Sequence, residues 1–439
     1  MLFHSNLYLL VFLPLIFFLY FFQYKNFKFP KLLTLSIASV IFYSAWNISF
    51  LPLILFIIFF NFYFCKKIKK KKNYLLSIIF FNLLLLIVFK YTDFLIENIN
   101  FLFQLNIVKL NLPFPLALSF VTFQMIAFLV DYYDGYVKKI NIKDFFLFII
   151  FFPQLIAGPI VRYNDMVVQY KSSKNKKINI NNIFVGLILI IIGFLKKTVL
   201  ADNLGVFVDS SYIDTTSLSF YLGWLTSIAF TFQIYFDFSG YVDMATGSAL
   251  LFNIKLPQNF DSPFKAKSLI NFWQRWHMTL TSFLTNYIFN PCVRSLKEVT
   301  FIKMMFLIIM VFIICGFWHG PSWMYGIFGL MHGLGLAINH TFNKFFKIEL
   351  NGVFSWFLTF NFVNFTFIFF RSKNLEQSFD MIKAMFDFNL AKLNYIILAD
   401  FQKFILLISI SFVLVLCFKN SYRLFDNYLK IKNNTDDYI

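Results

Sequence analysis

Charged residues are scarce in this chain, and that scarcity decides the broad class of protein. Only 14% of its 439 residues are charged and 59% are hydrophobic, whereas soluble domains usually have about 25% charged and about 45–50% apolar residues. No polar block is long enough for a soluble domain of about 50 residues. We therefore predict an all-α polytopic membrane protein, folded as a single membrane-embedded domain over residues 1–439.

Clustered metal ligands and disulfide patterns are lacking too. The four cysteines, Cys65, Cys292, Cys315 and Cys417, lie far apart and show no CxxC spacing, which favours small apolar residues over a disulfide framework. The histidines form no HxH or HExxH motif, and no phosphate-binding loop or serine nucleophile elbow is present. We expect no bound metal and no bound cofactor.

Acidic residues are outnumbered, 21 against 39 basic residues, which gives a formal net charge of +18. The basic residues cluster in short loops between apolar runs instead of forming a basic face, so the pattern does not predict nucleic-acid binding. It follows the positive-inside rule of membrane proteins. The most basic loop, Lys66–Lys72, is predicted to be cytoplasmic. This places the N-terminus outside and the C-terminus in the cytoplasm.

Long apolar windows predict about eleven transmembrane helices. They lie near residues 6–22, 32–46, 50–64, 74–90, 115–133, 183–200, 219–252, 300–317, 322–340, 353–370 and 402–418. The first window has no basic region before it and no small-residue cleavage site after it, so we expect a retained helix.

Two stretches depart from simple spans. Phe145–Ile160 contains Pro153 between basic flanks, which favours a re-entrant element. Tyr221–Phe252 is too long for one straight helix, and we expect a break near Gly240, with the carboxylate of Asp237 deep beside it. Such elements line cavities, so we expect a central funnel.

An amphipathic segment, Asn271–Leu284, separates two of the predicted spans. Trp273, Trp276 and Leu280 recur in it at helical spacing, which predicts one interfacial helix on the cytoplasmic side. His277 falls at the edge of the apolar stripe.

His319 is the leading candidate for chemistry. It lies in Cys315–Trp323, where Gly316, Gly320 and Pro321 interrupt an apolar stretch. Placing a charged side chain at the bilayer centre costs about 3 kcal/mol or more in free energy, so an ionisable residue there is a functional candidate by default. An imidazole in such a break has the features of a membrane-embedded general base.

Two further histidines occupy the next span. His332 and His340 share it with small residues at helical spacing, Gly326, Gly329 and Gly333. That spacing is typical of closely packed helices, so we expect structural roles for both.

Nine motifs follow one another in a characteristic order. They are Phe89–Tyr91, Ser119–Gln124, Phe152–Ile160, Lys196–Lys197, Ala201–Asn203, Gln233–Met244, Asn271–Leu280, Trp318–Gly320 and Phe369–Arg371. Together they resemble the membrane-bound O-acyltransferase family, specifically its bacterial branch of alginate O-acetyltransferase AlgI-like proteins. The part that carries these motifs is residues 85–375.

The resemblance implies that His319 is the catalytic histidine and that His277 is the second motif residue. It also implies an eleven-helix body around a funnel in the bacterial inner membrane. A thioester donor, such as acetyl-CoA or an acyl-carrier protein, would approach from the cytoplasm. The acyl group would pass to hydroxyls of a cell-envelope polysaccharide such as alginate or peptidoglycan, through an extracytoplasmic transferase partner.

In this mechanism His319 takes the proton of the acceptor hydroxyl, as a neutral imidazole can near neutral pH. The indole N–H of Trp318 or Trp323, or else His277, would donate to the oxyanion. The remaining predicted substrate contacts are Arg275, Trp276 and Asp237. The chain departs from the family pattern at Phe283, Thr285–Asn286 and Asn290–Val293, positions expected to face a partner or the acceptor.

Two alternatives stay open. One is D-alanyl transfer to teichoic acid, which belongs to the same family and requires a carrier protein. The other is a transporter or channel that uses His319 as a gate or proton relay. Broken helices favour it, but the chain shows no internal repeat and no charge ladder.

Overall fold

The computed structural model describes residues 2–22, 30–68, 71–156, 158–346, 348, 350–388 and 398–429. Within these ranges the regular structure is helical and contains no β-strand, which confirms an all-α architecture. Two lysines of the basic Lys66–Lys72 loop, Lys69 and Lys70, lie outside the described residues. So do five lysines of other segments that the same charge pattern predicts to be cytoplasmic: Lys25, Lys28, Lys347, Lys430 and Lys432.

A helix lies at each of the predicted spans. In chain order these helices are α1 Leu13–Phe21, α2 Lys31–Ser44, α3 Leu51–Ile68, α4 Lys72–Phe103, α5 Leu118–Tyr133, α6 Ile180–Leu195, α7 Phe220–Leu251, α8 Phe301–His319, α9 Trp323–Phe345, α10 Gly352–Arg371 and α11 Leu398–Cys417.

Length and hydropathy identify the helical segments best suited to a bilayer. Among the residues that the structure describes, five segments are long and apolar enough to cross one: Ile48–Ile68, Lys72–Phe103, Ile180–Ser211, Phe301–His319 and Gly352–Arg371. The same residues contain four shorter apolar helices: Leu7–Phe21, Lys31–Ser44, Leu118–Tyr133 and Gln402–Cys417. The protein is therefore a multi-pass membrane protein.

The chain forms two compact units. Unit 1 contains Met1–Ile192, Tyr241–Gln258 and Phe425–Ile439, and unit 2 contains Gly193–Gly240 and Asn259–Leu424. In unit 1, α3 and α4 are joined by a buried pair of asparagines. Asn61 Nδ2 donates to Asn82 Oδ1 at 2.9 Å, and Asn82 Nδ2 donates back to Asn61 Oδ1 at 2.8 Å. Interhelical hydrogen bonds of this kind contribute about 0.6–2 kcal/mol each in membranes.

In unit 2, α8 and α9 pack through glycines, as the small-residue spacing predicted. A Cβ atom on Gly316 would lie 2.1 Å from the carbonyl oxygen of Tyr325, and one on Gly329 would lie 2.2 Å from that of Phe312. No side chain fits at either position, so the two backbones approach as closely as helices can. This contact fixes the C-terminal end of α8, where His319 lies.

The predicted break near Gly240 is wrong, because α7 runs without interruption from Phe220 to Leu251. A Cβ atom on Gly240 would lie 2.7 Å from the carbonyl oxygen of Gly193, so this glycine permits close packing. Asp237 is not deep either. Its side chain is 51% exposed and pairs with Lys197 at 2.6 Å.

A single helix over Asn271–Leu284 is also wrong. A short helix, Leu269–Trp273, is followed by a turn, and a second helix, Met278–Phe283, begins after His277. The backbone of His277 is left-handed, with φ 44° and ψ 51°, and no α-helix continues through that conformation.

The interruption expected within Phe145–Ile160 is present. A helix over Ile142–Ile150 ends before a separate short helix, Phe152–Leu155. Both are largely buried. The re-entrant path of this element and the orientation of the termini stay predictions.

Candidate active site

His319 is the last residue of α8. The chain continues through Gly320 in an extended conformation, and Ser322 then caps α9 by accepting a hydrogen bond from the backbone N–H of Met324 at 3.2 Å. The helix therefore ends at the imidazole, as the glycines and Pro321 predicted.

Aromatic rings surround the half-buried imidazole of His319. The ring centroids of Trp318 and Phe370 lie at 4.9 and 5.1 Å, and those of Phe328 and Tyr325 lie at 6.1 and 6.5 Å. An apolar surround of this kind lowers the local dielectric, which strengthens hydrogen bonds to a charge that develops beside the ring.

His277 is 1% exposed and lies against the same aromatic group. Its ring is 6.3 Å from that of Trp318 and 4.8 Å from that of Phe238, measured between centroids. Trp318 therefore contacts both histidines, and the two belong to one site.

The hydrogen bond at Nδ1 defines the tautomer of His277. Nδ1 lies 3.1 Å from Oδ1 of Asn259. The same oxygen accepts the backbone N–H of Thr279 at 3.2 Å, and this group can only donate. The atom of Asn259 at this place is therefore the oxygen, so Nδ1 of His277 donates and its Nε2 carries the lone pair.

His277 lies outside the membrane-spanning helices, between α7 and α8, and is neutral there. Burial of the ring and the charge of nearby His319 lower the pKa of His277 from its ordinary 6.5 to about 3. A base this weak takes a proton from a hydroxyl poorly near neutral pH. The half-buried His319 is the better candidate for general base.

The other residues predicted to contact the substrate lie in different surroundings. Trp276 is 6% exposed and stacks on Phe272 at 5.6 Å, within an aromatic core. Arg275 donates to the backbone oxygen of Asp261 at 3.1 Å and to Oδ1 of Asn271 at 3.0 Å. These hydrogen bonds fix the guanidinium within the protein, so its role as a substrate contact stays a prediction.

Trp323 and Asp237 lie in more open surroundings than Trp318. Trp323 is 58% exposed and its ring is 5.8 Å from that of Phe317, whereas Trp318 is 8% exposed beside both histidines. Of the two indoles predicted as oxyanion donors, Trp318 is therefore the better placed. Asp237 precedes Phe238, the ring that contacts His277, but its own carboxylate pairs with Lys197.

His332 is held by protein groups at both nitrogens. Its Nδ1 accepts the indole N–H of Trp273 at 3.2 Å, so the proton is on Nε2, which lies 2.9 Å from Oγ1 of Thr366. This arrangement fits the structural role expected for it.

Sequence reasoning did not identify two neighbours of the histidines: Asn259, which lies beside His277, and Phe370, whose ring lies beside His319. Asn259 precedes His277 by 18 residues, and in one helix residues this far apart would lie about 27 Å from each other along the axis. Among the described residues, no group of three His, Cys, Asp or Glu side chains is arranged to hold a metal ion.

The fold and the site together define a multi-pass helical membrane protein with two histidines in one aromatic site. Comparison with known proteins identifies the family. The sequence model of the membrane-bound O-acyltransferase family, MBOAT, matches residues 3–376. The chain belongs to this family and is an acyltransferase.

Three relatives show what the chain is similar to. A peptidoglycan O-acetyltransferase of Helicobacter pylori is 39% identical over 89% of this chain and 80% of its own length. A probable alginate O-acetylase AlgI of Pseudomonas syringae pv. tomato is 32% identical over 92% and 79%. A teichoic acid D-alanyltransferase of Streptococcus thermophilus is 32% identical over only 51% and 56%.

Proposed function

We propose that this protein transfers an acetyl group from a thioester to a hydroxyl of a cell-envelope polysaccharide, with His319 as general base. The observation that carries the proposal is the pair of histidines in one aromatic site at the end of α8. The relatives select the acceptor to test first. Peptidoglycan takes precedence over alginate, because its O-acetyltransferase has 39% identity to this chain and the alginate O-acetylase has 32%.

In the reaction, His319 takes the hydroxyl proton as the acceptor oxygen forms a bond to the thioester carbonyl carbon. The carbonyl becomes an oxyanion, which collapses as the carbon–sulfur bond breaks. The leaving thiolate then takes the proton back, which restores neutral imidazole. General-base assistance of this type typically contributes about 10²- to 10⁴-fold to the rate.

The co-substrates divide between the two sides of the membrane. An acyltransferase needs an acyl donor, and we propose acetyl-CoA or an acetylated carrier protein on the cytoplasmic side. We propose that an extracytoplasmic transferase presents the glycan hydroxyl to this site in the cell, and that soluble glycan fragments reach the site without it. The inner-membrane location, with the N-terminus outside, rests on the loop charges.

The experiment is complementation of a deletion strain, with O-acetyl esters of purified peptidoglycan measured by mass spectrometry. We expect the wild-type gene to restore the esters and His319→Ala to leave them absent at equal protein level. His340→Ala is the matched control, because this histidine lies near the C-terminal end of α9, whereas His319 lies just before its N-terminal end. A strain that keeps its peptidoglycan esters without the protein would refute this acceptor.

A further inference from the structure

Two segments of unit 2 form a brace around the turn that carries His277. The backbone N–H of Asp261 donates to the carbonyl of Arg275 at 2.9 Å, and the N–H of Met278 donates to the carbonyl of Asn259 at 2.9 Å. The left-handed backbone of His277 lies between these two bonds. Such a conformation persists for a non-glycine residue only where its surroundings impose it.

The side chain of Asn259 completes the brace. It is 1% exposed, and its Oδ1 is close to three donors: Nδ1 of His277 at 3.1 Å, and the backbone N–H and Oγ1 of Thr279 at 3.2 and 2.9 Å. Because the N–H of Thr279 fixes the orientation of the Asn259 amide, it is the amide oxygen that contacts Nδ1 of His277, independently of the acyl substrate.

The amide nitrogen of Asn259, Nδ2, differs from Oδ1 in this respect. Within the described part of the chain, Nδ2 of Asn259 is buried with no hydrogen-bond partner. An unsatisfied buried donor lowers the free energy of unfolding. The three hydrogen bonds at Oδ1 are therefore what this asparagine contributes, and one of them goes to a histidine of the active site.

We infer that Asn259 is the positioning residue of His277, holding the imidazole as the Nδ1–H tautomer so that Nε2 stays the ring's hydrogen-bond acceptor. The inference rests on the proposed function. It changes the role expected for His277, because a neutral ring with its lone pair at Nε2 cannot donate to the oxyanion. Instead, Nε2 accepts a hydrogen bond from the imidazolium that His319 becomes. The oxyanion donor is then a different group.

Two near-isosteric substitutions separate the oxygen's role from simple packing. Asn259→Asp keeps an acceptor for Nδ1–H, whereas Asn259→Leu removes it. We expect Asn259→Leu to lower acetyl transfer about 10- to 100-fold, the usual cost of losing a group that orients an active-site side chain. Asn259→Asp should retain transfer above neutral pH.

The pH profile gives a readout that packing alone would not move. A carboxylate at position 259 stabilises the imidazolium of His277, so the acid limb of the Asn259→Asp profile should move to higher pH than in the wild type. The titratable group whose charge acts on His277 from another helix is His319. Asp261, on the bracing segment, is already paired with Arg423 and lies 3.9 Å from Arg275.

The assay uses the full-length protein in detergent micelles, with an acetyl thioester and soluble glycan fragments, at matched amounts of folded protein. Asn61→Leu is the control for losing a buried amide, since this residue lies in the asparagine pair of unit 1, and it should transfer at the wild-type rate. In a His277→Ala background, Asn259→Leu should add less than twofold, because residues that act as one unit lose their effect together.

Three outcomes would overturn the inference: wild-type transfer by Asn259→Leu, an unmoved acid limb in Asn259→Asp, or losses that multiply fully in the double variant. Failure of the proposed function looks different. In that case His319→Ala and His277→Ala would themselves transfer normally, whatever Asn259 does.

Discussion

Replacement of Gly316 by alanine tests how the packing of α8 on α9 positions the catalytic base. The new Cβ would lie 2.1 Å from the carbonyl oxygen of Tyr325 and 3.0 Å from Cα of Gly329. Both neighbours are backbone atoms, so neither can move aside alone. The two helices must separate by about 1 Å, and overpacking of this kind typically costs about 1–3 kcal/mol.

His319 is three residues beyond Gly316 on the same helix, so it moves with this separation. A misplacement of about 1 Å in an active site costs roughly 10²-fold in rate. We therefore expect Gly316→Ala to lower the unfolding temperature and to reduce acetyl transfer about 10- to 100-fold per folded molecule. Both can be measured on purified protein, by tryptophan fluorescence on heating and by an acetyl-transfer assay.

Gly352→Ala is the matched control. A Cβ at that position would meet only the Nζ end of the Lys267 side chain, at 2.9 Å, and a flexible lysine can move. It should unfold at or slightly above the wild-type temperature, because alanine is the better helix former, and its transfer should be normal. Equal unfolding temperatures and equal transfer for Gly316→Ala and the wild type would refute the packing argument.

Three further predictions concern the histidines and the topology. His277→Ala should reduce transfer less than His319→Ala, and the double variant should lose less than the product of the single losses; fully multiplicative losses would mean independent steps. Because the folded pKa of His277 is about 3 against an ordinary 6.5, the unfolded state takes up a proton that the folded state refuses as pH falls below about 6.5. The free energy of unfolding is therefore full above that pH and falls towards pH 3. The drop in unfolding temperature between pH 7.5 and pH 5 should be smaller in His277→Gln, and an unchanged drop would contradict the buried neutral ring. Cysteine labelling of intact cells should find the Lys66–Lys72 loop and the C-terminal tail both protected, and opposite accessibility would refute the eleven-span model.

The positions of the long helices could be predicted from sequence because hydropathy is a local property. A window of about 20 apolar residues must bury its backbone polar groups in its own hydrogen bonds, whatever surrounds it. The end of α8 at His319 was predictable for the same reason, since Gly320 and Pro321 act within one turn.

The errors arose where a distant segment decides the local structure. The sequence around Gly240 does not distinguish a helix break from close helix packing. The close approach of Gly193 shows that this glycine permits packing. The apolar stripe around Trp276 predicted a continuous helix, but backbone bonds from the segment that contains Asn259 impose a turn at His277. The same bonds bring Asn259 to the imidazole.

The central claim is that His319 is the general base of acyl transfer, and one measurement tests it most directly. Purified wild-type protein, His319→Ala and His340→Ala are compared for transfer of acetyl from a thioester to a glycan hydroxyl, at matched folded protein. We expect His340→Ala to equal the wild type and His319→Ala to be slower by about 10²- to 10⁴-fold, with an unchanged unfolding temperature. Transfer by His319→Ala at the wild-type rate would contradict the account.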